Sequence, residues 1–261
     1  MCCVEFLNVD TPRFNVLGVG VHAVNLETAT RNLISASREG KSGYVCCCDA
    51  HSIIQARHHP QHRRTLNHAL MATPDGMPLV WTGRRSGFLD VGRTYGPDLM
   101  EAMCAETADT ELTHYFYGGR DETAEKLVEQ LQQRFPNLRV AGHETPPWHN
   151  DVAKLPTEGI KQTAADFVWI GLSTPKQEAF MQHFHQQDSP KCITLGVGAA
   201  FDFLSGQVQQ APKRWQRAGF EWLWRLGQEP RRLTKRYVVT VPSFAIRLLA
   251  QRMGWAKFPL D

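Results

Sequence analysis

The sequence predicts an α/β fold: a mainly parallel, Rossmann-like sheet with helices on both faces, followed by a helical, basic C-terminal appendage. First, short apolar runs alternate with longer helical patterns along most of the 261 residues. Second, these runs end in Gly, Ser or Asp, which is typical of turns between a strand and a helix. Third, beyond residue 210 the apolar runs give way to segments rich in Trp and Arg. We therefore expect an α/β core at residues 1–210 and a basic, Trp-rich helical segment at 211–261.

The first 110 residues predict helices and strands from local caps and breakers. Asn25 suits the N-cap of a helix that Gly40 ends, and Pro97 suits the first turn of a later helix. Between these helices, Asp75 is flanked by Pro and Gly in a tight turn that is expected to join two helices. The elements predicted here are a strand at 14–20, a helix at 25–38, a strand at 44–48, a His-rich helical segment at 51–68 and a helix at 97–108.

The second half repeats the alternation of strand and helix. Gly118 and Gly119 follow one predicted strand, and Asp121 is placed to cap the helix after them. A stretch rich in Pro and polar residues at 144–158 predicts a loop. Ser173 lies in the turn that leads from a later strand into a helix. The predicted elements are strands at 112–117, 138–141, 166–171 and 192–198, a helix at 122–134 and a helix that begins at Pro175.

Several residues that suit ligand binding directly follow predicted strands. Because the carboxyl ends of parallel strands meet at one edge of the sheet, these residues are expected to line one shared cleft. Gly118 and Gly119 suit the approach of a phosphate or nucleoside to backbone N–H groups. Gly198, with Asp202 close behind it, suits the floor of a pocket, since backbone without a side chain can approach a ligand closely. The residues expected at this edge are Asp49, Gly118, Gly119, Ser173, Gly198 and Asp202.

The positive charge of the chain is concentrated near its C-terminal end. Residues 213–261 hold eleven Lys and Arg but only three Asp and Glu, which gives a net charge of +8. Since the whole chain has a net charge of +3, the other residues together carry −5. Four of the seven Trp lie in the same segment. Such a segment predicts an anionic partner: a membrane surface, a nucleic acid or a phosphate. Helices that combine Trp and Leu with Arg and Lys suit a membrane interface in particular.

The cysteines and histidines predict neither a disulfide framework nor a metal site. The number of cysteines, seven, is odd, and none are spaced as Cys-x-x-Cys, which fits a reducing cytoplasm. His58, His59 and His62 lie among Gln and Arg with no nearby carboxylate, so we expect a solvated helix face there. Neither a signal peptide nor a transmembrane helix is predicted.

Four runs near the C-terminal end form a recognisable pattern. They are Gly-Val-Gly-Ala-Ala-Phe-Asp at 196–202, Ala-Pro at 211–212, Glu-Trp-Leu-Trp-Arg-Leu at 221–226, and Glu-Pro-Arg-Arg-Leu at 229–233 with Arg-Tyr at 236–237. This pattern strongly resembles the WecG/TagA/CpsF family of bacterial glycosyltransferases. Upstream, Pro-Asp-Gly at 74–76 and Pro-Lys-Gln-Glu at 175–178 match further motifs in the family's order, and the resemblance runs from about residue 14 to residue 247.

The resemblance implies roles for particular residues. The Asp of the family's Pro-Asp-Gly motif is the proposed catalytic base, which here is Asp75, and Arg93 occupies a position implicated in catalysis. Gln177 corresponds to a Gln at the family's sugar-nucleotide site. Cys47 and Asp49 stand where the family has a Thr-x-Asn pair, so this chain has a second carboxylate. If the two carboxylates are close, one pKa should rise, and the sequence leaves open which of them is the base.

The resemblance also implies an activity, namely transfer of a sugar from a UDP-sugar to a polyprenyl-diphosphate-linked saccharide in the synthesis of bacterial surface polysaccharide. The family includes N-acetylmannosaminyl, mannosaminuronyl and glucosyl transferases, so the donor sugar stays open. An inverting mechanism is expected, with the departing diphosphate stabilised by Arg93 and by the C-terminal arginines Arg225, Arg232 and Arg236. The sequence has no Asp-x-Asp motif, so neither a divalent metal nor another cofactor is expected.

The expected location is the cytoplasm, with peripheral attachment to the inner face of the cell membrane, and homo-oligomerisation is left open.

Two other classes of function also stay open. Gly18, Gly20 and Ala23 match the G-x-G-x-x-A pattern of NAD-dependent oxidoreductases. The charge of +8 would suit a nucleic-acid-binding protein. Neither alternative gives a role to the Pro-Asp-Gly and Pro-Lys-Gln-Glu turns, so we favour a transferase that binds no nucleic acid.

Overall fold

The computed structural model describes residues 11–120, 122–188 and 190–260, and it places eight strands there. They are β1 (Arg13–Val16), β2 (Val19–His22), β3 (Gly43–Cys48), β4 (Met71–Pro74), β5 (Thr113–Gly118), β6 (Arg139–Glu144), β7 (Phe167–Gly171) and β8 (Ile193–Gly196). The last six form one sheet in the order β4-β3-β8-β7-β5-β6, and all neighbouring strands are parallel. The predicted α/β class with a parallel, Rossmann-like sheet is confirmed.

Helices cover both faces of this sheet. On β3, Tyr44, Cys46 and Cys48 belong to one cluster of buried residues, while Val45 and Cys47 belong to another. Since side chains alternate between the two faces of a strand, each cluster fills the space between one face and its helices. The helices are α1 (Leu26–Arg38), α2 (Ala50–His58), α3 (Pro60–Asn67), α4 (Met77–Arg85), α5 (Gly96–Thr107), α6 (Thr123–Arg134), α7 (Glu158–Thr163), α8 (Lys176–Asp188), α9 (Ala200–Leu204), α10 (Lys213–Arg217), α11 (Glu221–Gln228) and α12 (Pro230–Arg252), with a short 3-10 helix at Val152–Lys154.

The strand predicted at residues 14–20 is instead the antiparallel β1–β2 hairpin, which lies outside the main sheet. Leu17 and Gly18 form its turn with φ angles of 54° and 89°, the backbone that a tight two-residue hairpin turn requires. The pattern of Gly18, Gly20 and Ala23 therefore lies on a hairpin and not between a parallel strand and a helix. It does not have the structural context of a dinucleotide-binding site.

Strand β4 corrects the expectation that Asp75 joins two helices. Met71–Pro74 is buried and pairs in parallel with β3, so that Pro74 lies opposite Cys48. The strand is hard to recognise in the sequence because it has only four residues and ends in Pro, which sheets tolerate at edges and strand ends. Because β4 runs parallel to β3, Asp75 follows a carboxyl end of the sheet, as Asp49 does.

Two smaller expectations also change. His58 and His59 are exposed as predicted, but His62 is buried, with its Nε2 3.3 Å from Ser52 Oγ. The single helical segment expected there is two helices, α2 and α3, and their packing against each other turns His62 inward. The predicted cap Asp121 lies outside the described residues.

The C-terminal part of the chain forms α10, α11 and α12, which confirms the predicted helical appendage. Phe244 of α12 is buried where this helix packs against α2. Near the end of α12, the Gln251 side chain accepts a hydrogen bond from the Leu17 N–H at 2.9 Å and donates one to the Asn15 carbonyl at 3.1 Å. In the part of the chain described, no helix is long and apolar enough to cross a membrane. The division into two domains near residue 210 stays a prediction.

Candidate active site

A cavity of about 630 Å³ lies at the carboxyl ends of the parallel strands, and we call it the strand-end cavity. Its wall comes from the segments that follow all six strands of the main sheet, from Tyr95 and Pro97, and from residues of α11 and α12. The cleft expected from the sequence therefore exists. The predicted site residues that line it are Cys47, Asp49, Asp75, Gly119, Ser173, Gln177, Gly198, Asp202, Arg225 and Arg236.

Two predicted site residues, Gly118 and Arg93, are placed elsewhere, and the side chain of a third is not described. A Cβ on Gly118 would lie 2.7 Å from backbone atoms of Gly171, so this glycine is needed for the close approach of β5 and β7. Arg93 lines a second cavity, described below. Arg232 lies on α12, but its side chain is outside the described part of the chain.

Gln177 is buried in the wall of the strand-end cavity, and its side-chain oxygen has no hydrogen-bond partner among the described residues. Its Nε2 donates to Glu178 Oε1 at 3.1 Å, and the same Glu178 oxygen accepts from Thr174 Oγ1 at 2.8 Å. Among the described residues, neither Gln177 Oε1 nor Glu178 Oε2 has a hydrogen-bond partner, although both are buried. Because a buried acceptor without a partner is costly, the Gln177 oxygen, whose residue lines the cavity, suits a ligand that brings a hydroxyl or N–H donor. Glu178, which sequence reasoning did not single out, stands beside Gln177 in the Pro-Lys-Gln-Glu run.

Asp49 is held as an anion at the end of β3. Its Oδ1 caps α2 by accepting the Ser52 N–H at 2.7 Å, and its Oδ2 accepts from Arg236 Nη2 at 3.2 Å. Burial raises the pKa of this carboxyl, but the charges of Arg236 and His51 and the Ser52 hydrogen bond outweigh burial and hold the pKa below its usual range. Burial also raises the pKa of the neighbouring Cys47 thiol, so that side chain is a neutral part of the wall.

Asp75 lies beside Asp49 but has the opposite electrostatic behaviour. Its N–H donates to the Cys48 carbonyl at 3.0 Å, which holds the turns after β3 and β4 side by side. Burial raises the pKa of its carboxyl to about 7, and the negative charges of Asp49 and Glu221 add to this rise, while Arg93 opposes it. Two neighbouring carboxyls whose pKa values are pushed apart in this way can divide the roles of proton acceptor and permanent anion.

Arg93 is fixed beside Asp75 by contacts from four directions. Its Nε donates to the Asp75 carbonyl oxygen at 2.7 Å, its Nη1 donates to Gln216 Oε1 at 3.1 Å, and its Nη2 pairs with Glu221. Its guanidinium carbon lies 3.9 Å from the centre of the Tyr95 ring. Gln216, Glu221 and Tyr95 were missed in the sequence, although Glu221 begins the Glu-Trp-Leu-Trp-Arg-Leu run.

A second cavity, of about 510 Å³, lies on the other side of the two carboxylates, and we call it the apolar cavity. It forms between α4, α11 and α12. Asp49, Asp75, Tyr95 and Arg225 line both cavities, so the cavities meet at the carboxylates. Apolar side chains form much of its wall, including Met77, Trp81, Trp222, Val241, Phe244 and Leu248. Its cationic lining residues are Arg85, Arg93, Arg225 and Arg252.

Trp148 forms an aromatic surface at the rim of the strand-end cavity. Its side chain is 78% exposed, and Lys176 Nζ lies 4.0 Å from the ring centre. An exposed Trp at a cavity rim offers a stacking surface for a planar ligand group. Sequence reasoning missed this residue because the loop at 144–158 gave no sign of facing the cleft.

The chain matches the family model described as "Glycosyl transferase WecG/TagA/CpsF family" over residues 14–257. The protein belongs to this family. It is therefore a glycosyltransferase of cell-surface polysaccharide synthesis, and the resemblance found in the sequence is confirmed over nearly the whole chain. Within the residues that the structure describes, no group of three or more His, Cys, Asp or Glu side chains could hold a metal ion.

Proposed function

We propose that this protein is an inverting transferase that moves a sugar from a UDP-sugar to a polyprenyl-diphosphate-linked saccharide. The observation that carries the proposal is the meeting of a polar cavity and an apolar cavity at Asp75, whose carboxyl has a pKa of about 7. A general base works best when its pKa is near the working pH. The transferred sugar is an N-acetylmannosaminyl or hexosyl group.

The strand-end cavity receives the nucleotide sugar. The uracil ring stacks on Trp148. A hydroxyl or N–H group of the nucleotide sugar donates a hydrogen bond to the buried side-chain oxygen of Gln177. Arg225 and Arg236 contact the diphosphate from the C-terminal side.

The apolar cavity receives the acceptor. Its apolar wall suits the first units of a polyprenyl chain, while Arg85 and Arg252 suit the diphosphate that joins the lipid to the sugar. This arrangement brings the acceptor saccharide to the junction of the two cavities, where Asp75 lies.

The reaction uses the two carboxyls differently. Asp75 accepts the proton of the acceptor hydroxyl while that oxygen forms a bond to the anomeric carbon. The bond from the anomeric carbon to the UDP oxygen breaks, and the electron pair leaves with the diphosphate, whose charge Arg225 and Arg236 stabilise. Asp49 stays ionised and holds Arg236 in place.

Outward-facing residues of α12 and of the residues after it support attachment to the inner face of the membrane. Val239 and Ile246 are exposed and lie seven residues apart, so they share one side of α12. Met253, directly after the helix, is also exposed. Trp255 is also exposed. Apolar side chains combined with the basic charge of this segment are typical of a helix that lies in a membrane interface.

A thermal-shift panel of UDP, GDP, CMP and NAD, without added metal, tests the proposal. A ligand at about 100 times its Kd stabilises the folded protein by about 2.7 kcal/mol. We expect UDP to raise the Tm and the other three to have little effect. A shift with another nucleotide and none with UDP would contradict the proposed donor.

A further inference from the structure

Glu221 enters the active site from α11 and is held on two sides. Its Oε1 accepts a hydrogen bond from the Tyr95 hydroxyl at 2.6 Å, and its Oε2 accepts from Arg93 Nη2. The side chain is only 14% exposed. Because a buried carboxylate is costly unless its oxygens are satisfied, the two partners explain why a charged residue is tolerated at this position.

The contacts around Arg93 leave it close to the Asp75 carboxylate without a hydrogen bond to it. Arg93 Nη2 lies 3.7 Å from Asp75 Oδ1, beyond hydrogen-bond distance. The same Nη2 donates to Glu221, and Nη1 donates to Gln216. Gln216 is itself fixed, since its Nε2 donates to the Ala211 carbonyl at 2.7 Å. Residues of α10 and α11 therefore set the direction of the guanidinium.

We propose that Glu221 is a positioning residue for sugar transfer: it holds Arg93 beside Asp75 and keeps the guanidinium from forming a direct hydrogen bond to that carboxylate. The inference rests on the function proposed above. Without the negative charge of Glu221, the hydrogen bond from Nη2 weakens, because an amide oxygen is a poorer acceptor than a carboxylate. Nη2 can then turn toward Asp75 Oδ1, where it would stabilise the ionised base and weaken it as a proton acceptor. The packing of α11 against the core therefore completes the surroundings in which Asp75 acts as a base.

The pH dependence of the reaction reports on this arrangement. The groups that face Asp75 are Asp49 after β3, Arg93 in the loop before α5, and Glu221 and Arg225 on α11; the Cys47 thiol and the Tyr95 hydroxyl also lie near it. Glu221 raises the pKa of Asp75 and Arg93 lowers it. Removing the negative charge of Glu221 and freeing Arg93 both act in the same direction, toward a lower pKa.

The test compares Glu221→Gln with Glu229→Gln, which removes the same charge from the same segment but lines neither cavity. For Glu221→Gln we expect kcat to fall on the order of a hundredfold, as for a misplaced catalytic group, with less than a threefold change in KM for the donor. We expect the acid limb of the rate profile to move down by about one pH unit. Glu229→Gln should leave kcat and the acid limb unchanged. Equal effects of the two variants, or an unmoved acid limb in Glu221→Gln, would overturn the proposal.

A second measurement does not need turnover. Nitrogen-15 NMR of the arginine side chains, with Arg93→Lys used for assignment, should resolve the Nη signals of Arg93 because rotation of the guanidinium is hindered. These signals should broaden or merge in Glu221→Gln and persist in Glu229→Gln, while the amide spectrum shows that both variants are folded. Persistence in both variants would contradict positioning by Glu221. If the wild-type protein transfers no sugar from any UDP donor, the proposed function fails, but this spectrum still decides whether Glu221 positions Arg93.

Discussion

Arg236 on α12 donates a hydrogen bond to Asp49, 187 positions earlier in the chain, with Nη2 and Oδ2 3.2 Å apart. The pair joins the basic C-terminal helices to the end of a central strand of the sheet. Both side chains are partly exposed, at 27% and 40%, so the ion pair alone contributes little to stability. Its consequence is that a cation and an anion are both held in the wall of the strand-end cavity.

Replacing Arg236 with Gln should weaken UDP binding about tenfold. A charge-assisted hydrogen bond contributes about 1.5–3 kcal/mol, and tenfold corresponds to about 1.4 kcal/mol. Isothermal titration calorimetry with UDP measures the change. Lys235→Gln is the matched control, since Lys235 is exposed and lines neither cavity. An equal loss in both variants would show that general charge, and not a contact to the diphosphate, is responsible.

Replacing Asp75 with Asn should stabilise the protein at pH 8. The folded protein holds the Asp75 proton up to about pH 7, whereas the unfolded chain releases it at the ordinary pKa of 3.8. The folded state therefore binds more protons between these values, and stability falls as pH rises through this window. Asn avoids that loss, and we expect a gain of about 1 kcal/mol or more, which raises Tm by about 2–4 °C.

Asp49→Asn is the control for this measurement because its expected effect has the opposite sign. The folded-state pKa of Asp49 is lowered, so its carboxylate stabilises the protein above pH 3.8 and this contribution is lost as the pH falls through the folded-state pKa. Its Asn variant should have a lower Tm at pH 8. If both variants lower the Tm at pH 8, the contrast between the two carboxyls is wrong.

Trp148→Ala should weaken UDP binding, while Trp148→Phe should retain most of the affinity. Stacking of a base on an aromatic side chain contributes about 1–3 kcal/mol, so the Ala variant should lose roughly 5- to 150-fold in Kd. Fluorescence titration with UDP provides the measurement, and uridine separates the base from the diphosphate. Unchanged affinity of Trp148→Ala for both ligands would show that Trp148 does not contribute to the donor site.

Replacing Ile246 and Met253 together with Ser should weaken binding to vesicles that contain anionic lipid. Ile246 is exposed on α12, and Met253 is exposed directly after the last residue of this helix. Each buried CH₂ contributes about 0.8 kcal/mol. Cosedimentation at two salt concentrations measures the loss. Leu89→Ser serves as a control, since Leu89 is also exposed but lies before α5. Equal vesicle binding by both variants and the wild-type protein would contradict attachment through α12.

The fold was predictable where local patterns and tertiary structure agree. The Asn25 cap, the continuous apolar run before Asp49 and the run before Gly171 each define an element without help from distant residues. The short strand before Asp75 has no such pattern, and only its pairing with β3 makes it a strand. The hairpin turn at Leu17 was missed because a Leu in the left-handed region is unusual.

The site was predictable only where it depends on local sequence and not on how distant segments pack. The rule that ligands bind at strand ends, together with the family resemblance, indicated ten of the residues that line the strand-end cavity. The second cavity depends on how α11 and α12 pack on the core, which no local pattern specifies. For the same reason Glu221 and Trp148 were missed, since their partners Arg93 and Lys176 are distant in sequence. Gly118 was predicted to contact the ligand, but in the structure the backbone that it approaches closely is that of Gly171 on the adjacent strand.

The most direct test of the account is sugar transfer by the wild-type protein and Asp75→Asn, measured across pH 5–9 in the presence of EDTA. A radiolabelled UDP-sugar and a polyprenyl-diphosphate-linked saccharide serve as substrates. We predict transfer by the wild-type protein with an acid limb near pH 7, and a fall on the order of 10²–10⁴-fold in Asp75→Asn with UDP binding retained. Undiminished transfer by Asp75→Asn, or an acid limb near pH 4, would contradict the assignment of Asp75 as the base.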